Sequence, residues 1–145
     1  MTPAGVVTRG TTVFADAAID ASGKVIALSG QAIHRYAADI TTLDGGYVAG
    51  TLPTSLGTLA ILTLLGDELF VTGTTRKTGE SFSSGTTVLA RYAATGGLDA
   101  DFGALGVATG VPGDLTMARP VRSSDGRIYV SGSNETGSIV VRYWL

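Results

Sequence analysis

The residues with the most evident chemistry are three arginines, each followed directly by a tyrosine: Arg35-Tyr36, Arg91-Tyr92 and Arg142-Tyr143. Three guanidinium groups at equivalent positions could form an anion-binding ring, because arginine binds carboxylates and phosphates through two parallel hydrogen bonds. The simpler interpretation is structural. An arginine at a repeated strand position pairs with an acidic turn residue such as Asp99 or Asp101, and its aliphatic stem covers the strand. We expect this structural role, with each tyrosine on the opposite strand face and packed between sheets.

Pairs of carboxylates offer a second kind of chemistry. Asp16 and Asp20 could serve as a general acid and base, and Asp99 with Asp101 could approach one cation. A calcium loop, however, needs several oxygen ligands in a defined order, and neither this pair nor the stretch 39–45 has that spacing. We therefore expect these aspartates to cap turns through their side chains.

His34 is the only histidine, so it is the only residue around which a Ser-His-Asp triad or a histidine metal site could form. The chain has no Gly-x-Ser-x-Gly nucleophile elbow and no phosphate-binding glycine loop followed by lysine. The triplet 134–136 fits a glycosylation sequon, which indicates only an exposed turn. The sequence thus predicts no catalytic, cofactor-binding or metal-ligating residue, and no cofactor.

The composition is that of a strand-and-turn protein. Of 145 residues 44% are hydrophobic, only 15% are charged and 21 are glycine. The net charge of −2, without a basic run, disfavours nucleic acid as a partner, and the absence of cysteine fits either redox compartment. The most apolar run, 56–65, is too short to span a membrane as a helix, and the sequence shows no signal peptide.

The arginines belong to a phrase that occurs three times: a turn, a short apolar strand ending in glycine, and a strand ending in Arg-Tyr. The glycines that should end the apolar strand are Gly30, Gly73 and Gly132. That strand is apolar at consecutive positions, which indicates that both of its faces are covered. A repeat of about 50 residues in an all-strand pattern indicates a repeat architecture.

Each copy divides into four predicted strands. In the first copy they are 5–8, 12–19, 24–28 and 32–36. In the second they are about 46–50, 58–65, 68–72 and 86–92, with a polar insertion at 76–85 that we interpret as a solvated hairpin loop. In the third they are 106–109, 115–122, 127–131 and 138–143. We predict an all-β fold: one repeat domain, 1–145, with units 5–45, 46–103 and 104–145 forming three four-stranded antiparallel blades of a β-propeller.

The stretch Leu98-Asp99-Ala100-Asp101-Phe102-Gly103, followed by Gly106-Val107, resembles the delta-60 repeat. Residues 88–143 follow that whole pattern, and 5–36 follow it from the Gly-Val-Val-Thr position onward. The middle copy departs from it, because 42–47 lacks the Phe-Gly pair and 66–68 alters the Asp-Gly turn. The paired glycines 45 and 46 suggest a kelch propeller instead, but the spaced tyrosine and tryptophan of kelch units are missing and the single tryptophan is Trp144.

The resemblance implies a propeller-like fold from large bacterial secreted or surface proteins, mostly without assigned activity and without a defined catalytic set. It implies an extracellular or surface location. Three blades are too few to close a propeller, which has four to eight. We therefore expect either a homodimer that completes a six-bladed ring or a segment of a longer array.

The expected function is a non-catalytic binding or scaffold module whose first partner is itself or an adjacent blade, with carbohydrate or protein as a further ligand. One alternative is a lectin-like propeller, which would repeat an aromatic residue on equivalent loops; Tyr47, Phe82 and Phe102 look non-equivalent. The other alternative is a carboxylate-dependent hydrolase that uses Asp16 and Asp20.

Overall fold

The chain forms β-strands joined by turns, in agreement with the predicted all-β class. A computed structural model describes residues 14–54, 56, 60–75, 85–112, 119–134 and 136–144. Within these ranges there are eleven strands and no helix, hence no helix able to cross a membrane. The first six are β1 (Asp16–Ile19), β2 (Val25–Ser29), β3 (Ala32–Tyr36), β4 (Gly50–Thr51), β5 (Ile61–Leu65) and β6 (Glu68–Thr74). The others are β7 (Thr86–Tyr92), β8 (Val107–Pro112), β9 (Val121–Arg122), β10 (Ile128–Asn134) and β11 (Gly137–Tyr143).

The strands pair into three antiparallel sheets. The first sheet has the order β1-β2-β3-β4 and the second has the order β5-β6-β7-β8. The third sheet has the order β9-β10-β11, which is three strands among the described residues rather than the four expected. Each sheet runs in chain order, because every connection joins neighbouring strands. We call the first strand of each sheet (β1, β5 or β9) its inner strand and the fourth, where one is described (β4 or β8), its outer strand.

The sheets are offset from the sequence repeat by one strand. The predicted first strand of the second copy is only β4, and it pairs with β3 of the first sheet. Likewise, the first strand of the third copy is β8, which pairs with β7 of the second sheet. The predicted strands 12–19, 58–65 and 115–122 are shorter, beginning at Asp16, Ile61 and Val121 within the described ranges. The predicted strand 5–8 and nearly all of the insertion 76–85 lie outside the described residues.

The three repeated glycines do not share one role. Gly30 ends β2 as predicted, since it takes a φ of 58° in the tight turn to β3. Gly73 and Gly132 instead lie inside β6 and β10, where they pair with Val88 and Ile139. The strands continue past them because the hairpin partners β7 and β11 are seven residues long and extend the ladder.

The second sheet lies between the other two and is buried on both faces. Leu69 and Val71 of β6 contact Ile26 and Leu28 of the first sheet in one apolar cluster. On the other face, Phe70 joins a second cluster that holds Ile128, Val130, Val141 and Tyr143 of the third sheet. The predicted strand with two covered faces is therefore present in β6, where Phe70 and Val71 are both completely buried.

In each repeated Arg-Tyr pair, the two side chains lie on opposite faces of the sheet. Tyr92 and Tyr143 each face the preceding sheet and belong to the cluster between the two sheets. Arg35 shares a face with Ile26, toward the second sheet, and Arg91 shares a face with Phe70, toward the third. Arginine therefore faces the following sheet and tyrosine the preceding one.

Candidate functional site

The connections from β3 to β4 and from β7 to β8 build the same local structure around an arginine. The Asp44 amide donates to the Arg35 carbonyl at 2.8 Å, and the Asp99 amide donates to the Arg91 carbonyl at 2.9 Å. Three residues after each aspartate an aromatic residue follows, held by a 3.0 Å backbone hydrogen bond to it: Tyr47 in one case, Phe102 in the other. We call each set of arginine, aspartate and aromatic ring an arginine centre.

In the first arginine centre Arg35 is held from several sides. Its Nε donates to Asp44 Oδ2 at 2.7 Å, and its guanidinium carbon lies 4.6 Å from the centre of the Tyr47 ring. Its Nη1 donates to the Ala94 carbonyl of the second sheet's β7–β8 turn at 3.2 Å, while Asp20 lies 3.9 Å away. Arg35 therefore links the first sheet to the second.

The second arginine centre repeats the arrangement with different partners. Arg91 Nε lies 2.9 Å from Asp99 Oδ2, and its guanidinium carbon lies 5.1 Å from the Phe102 ring centre. Glu68 lies 3.5 Å from Arg91 and also contacts Arg122 of β9, so this centre joins the second sheet to the third. The expected pairing of an arginine with Asp99 is confirmed here.

The third repeated arginine differs. Arg142 pairs across the sheet with Tyr129, on the face that no described sheet covers. Its guanidinium lies 4.8 Å from the Trp144 ring centre, and Arg127 lies 4.4 Å from the same ring. In the part of the chain that is described, no carboxylate lies within ion-pair distance of Arg142.

The carboxylate of the first centre is strongly stabilised in its charged form. The Lys24 ammonium, at 2.8 Å from Asp44 Oδ2, the backbone amide of Gly46 and Arg35 together lower the pKa of Asp44 to about 2. Asp44 therefore stays ionised at neutral pH and neutralises Arg35. Because this guanidinium already donates to a carboxylate and a carbonyl, the alternative of an anion-binding ring has no support at this position.

A cleft of about 290 Å³ opens beside the first arginine centre, between the first and second sheets. Arg35, Tyr47, Asp20 and Asp67 supply its polar lining, over an apolar floor that includes Leu69. The Tyr47 hydroxyl is buried without a hydrogen-bond partner among the described residues, and burial raises its pKa. The cleft could accept a small polar molecule.

The two carboxylates of the hydrolase hypothesis are not brought together. They stand at opposite ends of β1, and positions four apart on a strand are separated by roughly 13 Å. Asp16 accepts a hydrogen bond from the Leu62 amide at 2.9 Å and forms an ion pair with Arg119 at 3.3 Å. Asp20 caps its own turn, accepting from the Ser22 hydroxyl at 2.6 Å and from the Lys24 amide.

The remaining candidate ligands serve turns, as the sequence predicted. Asp39 Oδ1 accepts the amides of Thr41 and Thr42, which lowers the pKa of Asp39 to about 2. Asp99 Oδ1 accepts the amide of Asp101 at 3.2 Å. His34 lies 6.3 Å from the Tyr36 ring. Over the described ranges, no three histidine, aspartate or glutamate side chains converge on a site for one metal ion.

The sequence interpretation of the aromatic residues was wrong in one respect. Tyr47 and Phe102 are equivalent, since both follow the paired aspartate by three residues and lie beneath an arginine. The shared spacing Asp-x-x-aromatic would have revealed this equivalence, although residues 42–47 lack the Phe-Gly pair. Phe102 is only 2% exposed, so it cannot stack on a sugar. Phe82 lies outside the described residues.

The chain matches no known family model and no curated protein.

Proposed function

We propose that this chain is a non-catalytic scaffold module of the β-propeller type that joins other copies of itself, or neighbouring blades of a longer array, through the faces of its first and third sheets. The delta-60 resemblance and a six-bladed ring of two chains are part of this proposal. The observation that carries it is a junction between sheets that occurs twice in the same form, together with exposed apolar side chains on the outward faces of the first and third sheets.

Both junctions bury a tyrosine from the following sheet against the outer strands of the preceding one. Tyr92 donates its hydroxyl to the Thr51 carbonyl at 2.8 Å, and Tyr143 donates to Thr87 Oγ1 at 3.2 Å. A glycine makes room in each case: a Cβ on Gly50 would lie 3.2 Å from the Tyr92 ring, and one on Gly110 would lie 2.9 Å from the Tyr143 hydroxyl.

The two terminal faces carry the residues that the junctions use. The outward face of the first sheet carries Tyr36, the counterpart of Tyr92 and Tyr143. The outward face of the third sheet carries Arg142, the counterpart of Arg35 and Arg91. At each junction inside the chain, a face that carries the repeated arginine meets a face that carries the repeated tyrosine. The two terminal faces carry the same two residues, which supports head-to-tail joining of copies.

Exposed apolar side chains on the terminal faces give the proposal a driving force. Ile19 is 69% exposed on the outward face of the first sheet, and Val140 is 71% exposed on the outward face of the third. Val121 and Trp144 are also largely exposed at the third sheet. Burying these exposed side chains between two copies is favourable by about 25 cal/mol per Å² of apolar surface.

Native mass spectrometry of the full chain tests the proposal. We expect a discrete assembly of two copies, and Ile19→Glu or Val140→Glu should each convert it to monomer by placing a charge in the interface. The matched control is Leu105→Glu, because Leu105 is equally apolar and exposed but lies in the turn before β8. A wild-type chain that stays monomeric at every accessible concentration contradicts self-association and leaves only the longer array.

A further inference from the structure

The junction between the first and second sheets differs from the junction between the second and third at one equivalent position. Leu64 of β5 pairs with Leu69, and Leu69 pairs with the repeated tyrosine of β7. Arg122 of β9 pairs with Ile128, and Ile128 pairs with the repeated tyrosine of β11. Directly paired residues share a face, and the repeated tyrosine faces the preceding sheet. Leu64 and Arg122 therefore both face the preceding sheet.

In the junction between the second and third sheets, this position holds a cation. The Arg122 guanidinium contacts Glu68 Oε2 of the preceding sheet, and its central carbon lies 5.9 Å from the centre of the Phe70 ring. The other oxygen of the same carboxylate, Glu68 Oε1, lies 3.5 Å from the repeated Arg91. One carboxylate of the preceding sheet thus pairs with two cations, the repeated arginine and an arginine from the following sheet.

In the junction between the first and second sheets, the carboxylate is present but the second cation is not. Asp20 Oδ2 lies 3.9 Å from the repeated Arg35, and the Asp20 side chain is only 16% exposed. Leu64 stands where Arg122 stands in the other junction, and the cleft of about 290 Å³ opens between Leu64 and Asp20. Arg35 is the one cation within ion-pair distance of Asp20 in the described part of the chain.

The charges around this cleft favour a cation. The ionised groups at the cleft and in the adjoining arginine centre are three carboxylates and two cations: Asp20, Asp44, Asp67, Arg35 and Lys24. Both cations contact Asp44. Asp67, at the cleft wall, forms no ion pair within the described ranges. One negative charge is therefore left without a counterpart.

The remaining lining suits a short hydrocarbon stem. Ile26 and Leu69, 4% and 3% exposed, form an apolar floor beside Leu64. The volume of about 290 Å³ is near the lower end of the roughly 300 to 1,000 Å³ typical of ligand sites, so the cleft suits a small molecule. The Tyr47 hydroxyl at the cleft is buried without a hydrogen-bond partner among the described residues, a costly state that a donor from a ligand would relieve.

We propose that this cleft binds a small organic cation, an alkylguanidinium or alkylammonium group. The charged head lies between the carboxylates of Asp20 and Asp67, as Arg122 lies against Glu68, and the stem covers Leu64 and Leu69. Hydrogen bonds between such a head and a carboxylate are charge-assisted, which gives selectivity over neutral molecules of the same shape. The cleft lies within one chain, so this inference goes beyond the proposed scaffold function and does not depend on assembly.

Titration of the full chain with n-propylguanidinium, followed by amide NMR, tests the inference, with the uncharged n-propylurea as the matched ligand. We expect saturable shifts at residues 20–22 and 64–69 with the cation and none with the urea. Asp67→Asn, a change at an exposed turn residue, should weaken binding roughly tenfold through loss of a charged hydrogen bond. Asp101→Asn is the control, because it removes the same charge from an exposed turn that does not line the cleft.

Leu64→Arg is the sharpest variant, because it supplies from within the chain the cation that Arg122 supplies in the other junction. We expect a folded chain that no longer binds propylguanidinium, whereas Leu105→Arg, which adds an arginine at an exposed turn, should keep the wild-type affinity.

Two kinds of source carry the same cation. An acetylated and amidated Gly-Arg-Gly tripeptide that binds more tightly than propylguanidinium identifies an arginine of another chain as the ligand, and weaker binding identifies a free cation; both results support the site.

Equal affinities for propylguanidinium and propylurea overturn the inference, as does an unchanged affinity in the Asp67→Asn chain. The absence of saturable binding also overturns it. Native mass spectrometry of the same samples keeps the proposed function separate: a two-copy assembly that does not bind the cation overturns only the cleft, and a monomer that binds it overturns only self-association.

Discussion

At the scale of single residues, the arginine centres account for two of the three repeated arginines, Arg35 and Arg91. The strand position fixes where the guanidinium lies, and an aspartate eight or nine residues later returns to it by pairing with the arginine carbonyl. The sequence predicted an acidic turn partner and correctly named Asp99. It missed Asp44 with Tyr47, because the surrounding Gly45-Gly46 hides the shared Asp-x-x-aromatic spacing.

The charge state of Asp44 provides a test at this scale. Lys24 is the largest cause of its low pKa, so Lys24→Met should raise the Asp44 midpoint from about 2 toward the ordinary value of 3.8. Carbon-detected NMR titration of the carboxyl groups measures it. Asp39 is the internal control, because its pKa of about 2 comes from hydrogen bonds with Thr41 and Thr42 and should not move. An unchanged Asp44 midpoint would show that Lys24 does not contact it in solution.

The same pKa sets a pH window for stability. A carboxyl whose folded pKa lies below its unfolded value stabilises the fold above the unfolded pKa, and this stabilisation is lost as the group is protonated. For Asp44 the contribution is complete above pH about 4 and disappears as the pH falls through about 2. The Lys24→Met chain should therefore lose less of its stability than the wild type across this interval.

At the scale of strands and turns, local pattern predicted what depends on neighbours in sequence. The apolar runs became β2, β6 and β10 to within two or three residues, and Gly30 ended its strand. The prediction failed for Gly73 and Gly132 because strand length is set by the hairpin partner and not by the glycine. The prediction also assigned β4 and β8 to the wrong sheets. The sequence repeat groups each with the strands that follow it, whereas each pairs with the strand before it.

The turn between β7 and β8 provides a test at this scale, because its backbone packs closely against the β3–β4 connection of the first sheet. Gly96 has a φ of 106°, and a Cβ there would lie 2.0 Å from the Val48 carbonyl oxygen. We expect Gly96→Ala to lower the free energy of unfolding by about 2 to 4 kcal/mol, from backbone strain and overpacking together. Urea unfolding measures this loss.

Gly45→Ala is the matched control for that variant. Gly45 lies in the β3–β4 connection of the first sheet, has no positive φ and has nothing within 4 Å of the added Cβ. It should change stability by less than about 0.5 kcal/mol. Equal losses in the two variants would show that the turn does not press against Val48.

At the scale of the whole molecule, the second sheet is covered on both faces by its neighbours, and the first and third sheets each have one face that no described sheet covers. The sequence predicted this consequence from the count of three copies, but it could not predict which residues lie on the open faces, because that depends on strand register. Ile19 and Val140 are ordinary strand residues in the sequence, and only pairing with Val25 and Ser131 turns them outward.

If copies join through these faces, thermal stability depends on concentration. Raising the chain concentration hundredfold above the dissociation constant stabilises the folded assembly by about 2.7 kcal/mol, which raises Tm by roughly 5 to 10 °C. Differential scanning calorimetry over a dilution series measures the shift. The Val140→Glu chain should show a Tm that does not change with dilution, and a constant Tm in the wild type would contradict the assembly.

The opposite directions of arginine and tyrosine also give every sheet a front and a back. At both junctions within the chain, the arginine-bearing face of one sheet meets the tyrosine-bearing face of the next. This pairing sets the order of the sheets but not their total number. That number depends on the tilt between successive sheets: a tilt that divides the full circle yields a closed ring, and any other tilt yields an open helical filament. In the proposed assembly, a substitution that changes the tilt at one junction could therefore replace a closed ring by an open filament without altering any residue at the joining faces.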